Sequence, residues 1–90
     1  MTNTTEGRAL SPMAYDALLE LATRIGGRYV SWVDQAPSEA AGRHWTYAHI
    51  EMQRQVRQVD PNDADAIEAK RAELRELWAT MPAHAPVMAA

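Results

Sequence analysis

The sequence predicts an all-α protein: a three-helix bundle in which a long first helix packs on an antiparallel hairpin of the second and third, with no β-sheet. Three observations carry this. Apolar residues recur at helical spacing in three separate stretches. Proline-bearing breaks, Ala36-Pro37-Ser38 and Asp60-Pro61-Asn62-Asp63, separate those stretches. Strand signals are missing, with no alternating β-branched run and no Asn-Gly or Asp-Gly turn. The expected layout is a flexible N-terminus over 1–10, one helical domain over 11–81 with helices at about 12–35, 42–59 and 61–80, and a flexible tail over 82–90.

The first helix opens on Ser11, a good N-cap, and Pro12, whose missing N–H costs nothing at the first helical position. Its polar residues fall on one strip: Asp16, Glu20, Arg24 and Arg28 at i+4 steps, with Glu20 and Arg24 expected to pair. The apolar remainder forms two stripes. One is Ala14, Leu18, Leu21, Ile25, Tyr29 and Trp32; the other is Tyr15, Leu19, Ala22, Gly26, Val30 and Val33. Both stripes keep phase across Gly26-Gly27, so one continuous helix is expected there. Gly26 lies on the apolar side, where a missing side chain lets another helix come close, and Gly27 on the polar strip, which suggests a bend. Packing on a single neighbour needs a stripe roughly 100° wide. Two stripes therefore call for two neighbours, and the second stripe, Tyr15, Leu19, Ala22, Gly26, Val30 and Val33, is the expected self-association surface of a homodimer.

The second helix has Ser38 as a candidate cap, with Gly42 expected to delay its start. Its inner seam is Ala41, Trp45, Ala48, Met52, Val56 and Val59. The opposite face also keeps helical spacing, and carries Arg43, Tyr47, Ile50, Arg54 and Arg57. Tyr and Arg beside an aliphatic residue are enriched in protein interfaces, so this face is the expected contact surface for a protein partner, one the sequence does not identify. In the third helix Asp60 is the expected cap and Pro61 the first helical residue. Its seam is Ile67, Leu74, Trp78 and Met81 flanked by Leu77, and Arg71 is expected to lay its stem on the core edge.

Composition narrows the function. The chain has 90 residues, enough for one small domain. It has no Cys, so disulfides and thiolate metal sites are excluded. With 9 basic and 12 acidic residues the formal net charge is −3, which disfavours indiscriminate nucleic-acid binding. No run approaches the ~18 apolar residues of a membrane span, and no apolar leader core is present, so a cytoplasmic protein without membrane contact is expected.

No motif organises chemistry. His44 and His49 are five apart and point in different directions on a helix, and the acids of the third helix lack cation-loop spacing. No glycine-rich phosphate loop or catalytic triad is visible, so no enzyme, cofactor or metal is expected. Thr2-Asn3-Thr4-Thr5-Glu6-Gly7 resembles the short S/T-x-x-x-E-G pattern of antitoxins that inhibit Fic-type AMP transferases; the match is six residues long and no residue role is carried over from it. The expectation is a small non-catalytic helical interaction module, an accessory or neutralising partner of a larger protein, self-associating through its first helix. The alternative is a DNA-associated transcriptional regulator or antitoxin that uses the Arg/Tyr face of the second helix.

Overall fold

The computed structural model describes residues 12–87, and these form α1 (Pro12–Asp34), α2 (Glu39–Arg57) and α3 (Ala64–Thr80) with no strand among them. The expected Ser11 cap, the 1–10 segment with its Thr2–Gly7 match, and residues 88–90 lie outside the described residues.

Helix α1 is the wall that the other two share. It packs on both α2 and α3, whereas α2 and α3 touch each other little. The first stripe faces inward as its spacing requires. Leu18 and Ile25 are fully buried, Tyr29 and Trp32 nearly so, and Ala14 and Leu21 flank them. The α2 seam closes one side through Ala41, Met52, Val56 and Val59, and α3 closes the other through Ile67, Leu74 and Met81. Burying each of the largest of these side chains favours the fold by about 1.5–3 kcal/mol.

Helix directions follow from which residues meet. Trp45 near the start of α2 lies against Trp32 near the end of α1, with ring centroids 4.6 Å apart. Further along, His49 covers Gly26, and Val56 and Arg57 reach the level of Leu19. Helix α2 therefore runs antiparallel to α1. Helix α3 runs parallel to it and ends where Arg28 of α1 donates to the Met81 carbonyl at 2.9 Å. The α2–α3 pair is thus antiparallel, as expected. A direct tie between them is Lys70 of α3, whose ammonium donates to Gln55 of α2 at 3.0 Å and pairs with Glu73 of its own helix at 2.8 Å.

Both interhelical starts differ from expectation. Helix α2 begins at Glu39, not near residue 42, because the Ser38 hydroxyl accepts from the Ala41 amide at 3.1 Å. That cap outweighs the modest cost of Gly42 in the first turn. Helix α3 begins at Ala64, with Asp63 and not Asp60 as cap: the Asp63 carboxylate accepts from the Ala66 amide at 3.0 Å. Asp60 instead accepts from the Asn62 amide two residues on, at 2.9 Å, which holds Pro61 in a turn and out of the helix. The expected Glu20–Arg24 pair also does not form; the Arg24 guanidinium lies 5.9 Å from the Trp78 ring.

Helix α1 continues unbroken through Gly26-Gly27, and the two glycines have opposite surroundings. A Cβ at Gly26 would lie 2.7 Å from His49 Nε2, inside any permitted contact, whereas one at Gly27 would meet nothing within 4 Å. Gly27→Ala is therefore expected to stabilise the protein by up to about 1 kcal/mol, the helix-propensity gain. Gly26→Ala gains the same propensity but must displace His49, so it should be less stable than Gly27→Ala. In a His49→Ala background the difference between the two substitutions should vanish. Urea unfolding of the four variants in a double-mutant cycle checks this.

Candidate interaction surface

The α2 outer face is exposed in full. Arg43, Tyr47, Ile50, Arg54 and Arg57 are all exposed, and Arg57, at the edge of this face, also borders a shallow groove against α1. Tyr47 and Ile50, one turn apart, are the two large apolar side chains of α2 most open to water, at 66% and 49%. Exposing both leaves an amphipathic ring and an aliphatic side chain open to water one turn apart.

The arginines around them are not equivalent. Arg43 lies 3.7 Å from Glu39, one turn earlier. Arg54 grips Glu51 through both ends of its guanidinium fork, from Nε to Oε1 and from a terminal nitrogen to Oε2. Gln55 adds a third donor to Glu51 at 3.0 Å. These hydrogen bonds, first from Arg54 and then from Gln55, hold the Glu51 carboxyl at about 2, well below its ordinary 4.5. Among the described residues Arg57 has no ion pair. Glu39 and Glu51 thus stand among the cations of this face. Their i,i+4 and i,i+3 spacing to Arg43 and Arg54 was visible in the sequence.

The second expected surface, on α1, is brought together only in part. Gly26 is covered by His49, while Tyr15 and Ala22 pack on the edge of the core and Val33 is half-buried. Leu19 and Val30 remain open, at 39% and 49%. The second stripe is therefore split: α2 takes one margin of it and leaves a ridge.

The C-terminal side of the described residues adds a third feature. Residues 82–87, expected to form a flexible tail, lie against the end of the bundle. The Trp32 indole donates to the Pro82 carbonyl at 3.2 Å, the His84 ring meets Gln35 at 3.2 Å, and Ala85 packs on the core. Gln35, His84 and Ala85, together with Ala41, Trp45 and Val87, border a small apolar recess. Its floor belongs to a run of rings in contact: His44 on Trp45, Trp45 on Trp32, and Tyr29 against Trp32, Trp45 and His49. Burial pushes the Tyr29 phenol up from its ordinary value.

Among the described residues no group of three or more His, Cys, Asp or Glu is placed to hold a metal ion, and no helix is long and apolar enough to cross a membrane.

The Glu51 carboxyl should titrate near 2 in the folded protein, and Arg54→Ala should return it toward 4.5, as followed by carboxyl NMR. Because the folded value is depressed, the pair favours folding fully above the ordinary glutamate range. That contribution should fade as pH falls toward 2. Comparison with known proteins finds no family model, no curated protein and no solved structure that matches this chain.

Proposed function

We propose that this protein is a small, non-catalytic interaction module, an accessory or neutralising partner of a larger protein, and that the outer face of α2 is its contact surface. The observation that carries the reading is the pairing of Tyr47 and Ile50 at the centre of an exposed helical face whose nearest arginines are already neutralised by glutamates of the same helix. Such a centre offers a partner apolar area with an aromatic anchor, and its charged border supplies orientation. Self-association through the open part of α1 belongs to the same reading.

A DNA-associated regulator using this face is the second reading, and it has less support. Phosphate contacts require cations free to replace counterions. Here Arg43 and Arg54 are engaged by Glu39 and Glu51, whose carboxylates a phosphate backbone would meet as well. Of the three, Arg57 alone has no ion pair among the described residues.

The test is co-purification of a tagged copy from the native host, comparing the unaltered protein with Tyr47→Ser/Ile50→Ser. Both side chains are exposed, so circular dichroism should be unchanged. The partner's affinity should fall by about tenfold or more, since truncating a hot-spot aromatic costs at least ~1–2 kcal/mol. Retention of the same partner at the same level would overturn the assignment of this face. In gel shift, the unaltered protein should not bind duplex DNA at physiological salt. A shift abolished by Arg54→Glu/Arg57→Glu would establish the regulator reading in its place.

A further inference from the structure

We propose that two copies of this chain pair in parallel along the open ridge of α1, about a twofold axis that runs with the helix, so that Arg57 of each copy faces Asp16 and Glu20 of the other. The inference rests on the self-association reading and adds its geometry.

The ridge has two unlike flanks. Leu19 and Thr23 border shallow grooves on both sides, so they form its crest, with Val30 further along. Toward α2 the groove is bounded by His49, Gln53 and Arg57. On the other side it is bounded by Asp16, Glu20 and Arg24. Arg24 reaches away over the Trp78 ring. Among the described residues Asp16, Glu20 and Arg57 take part in no ion pair. One flank thus presents a free cation and the other two free carboxylates. Because α2 runs antiparallel to α1, Arg57 sits at the height of Leu19, level with the acids across the crest.

Symmetry then chooses the orientation. A twofold axis along the crest carries the basic flank of one copy over the acidic flank of the other, twice, at one height. This is the self-complementarity that an isologous contact requires. Reversing one copy sets Arg57 against the other copy's α2 near His49, where no carboxylate borders the groove, and leaves Asp16 and Glu20 without cations. The crest suits close approach. Leu19 and Val30 supply exposed apolar area. Between them Thr23 is small, and Gly27 beside the crest has open space where a side chain would stand. Pairing would cover the apolar side chains that α2 leaves open.

Analytical ultracentrifugation of the full chain should show a dimer at micromolar concentration, and Leu19→Glu should give a folded monomer by circular dichroism. Arg57→Glu should weaken the dimer by about tenfold or more, since it sets like charges together. Adding Glu20→Arg to Arg57→Glu should restore it. The chain has no cysteine, so a Thr23→Cys variant gives a clean second readout. In the parallel pair residue 23 faces its own copy, and mild oxidation should link the dimer through it. A strictly monomeric unaltered protein would overturn self-association altogether. A dimer unmoved by Arg57→Glu and unlinked by the cysteine would overturn the parallel arrangement and leave self-association standing.

Discussion

The fold depends on one inward stripe of α1. Leu18, Ile25, Tyr29 and Trp32 are the common wall against which both other helices are pressed, and α2 and α3 have little direct contact to fall back on. In a compact three-helix bundle each pair of helices shares the load. Here a lost contact on α1 releases two neighbours at once. A 90-residue chain without disulfides has little reserve, with net stabilities of small domains only about 5–15 kcal/mol. A cavity at Leu18 or Ile25, at about 2–5 kcal/mol, consumes a large part of that.

The C-terminal half of α1 is held by more than apolar burial. Arg28 lies on the strip that separates core from water. Its guanidinium sits 4.5 Å from the centre of the Trp78 ring and donates to the Met81 carbonyl. The same side chain thus covers an indole and satisfies a carbonyl left open where α3 ends. One turn on, the Trp32 indole does likewise for Pro82. Aromatic contacts of Tyr29, Trp32 and Trp45 add about 0.5–1.5 kcal/mol per pair beyond their buried area. This end of the bundle therefore combines packing, stacking and hydrogen bonds, and it is where the chain beyond α3 comes to rest.

What the sequence made legible was periodicity. The inner stripe of α1 and the seams of α2 and α3 were readable because a helical period with an apolar bias has no other economical fold. The role of Gly26 was readable for the same reason: a gap in an apolar stripe invites a neighbour. The caps were not. Ser38 competed with Gly42, and Asp60 with Asp63, for the start of a helix. The choice between an Asx turn and a cap is a matter of two local hydrogen bonds of similar strength. The C-terminal segment was missed because its contacts are with Trp32 and Gln35, about fifty residues away, and no local pattern announces them. At the candidate surface, the five residues of the α2 face were legible from spacing alone. Along the second stripe of α1, spacing alone did not show that His49 of α2 covers Gly26.

The separation in sequence between Arg28 and Met81, and between Trp32 and Pro82, is 53 and 50 residues. During translation α1 and α2 emerge first and can pair as a hairpin, but the side of α1 meant for α3 stays wet until the ribosome has added about another turn beyond Trp78 and the exit tunnel has released it. At about 5–20 residues per second, that is a matter of seconds in which Leu18 and Ile25 are shielded on one side only. The α1–α2 hairpin alone thus leaves one side of the common wall open to its surroundings, and the docking of α3 on α1 ends that interval.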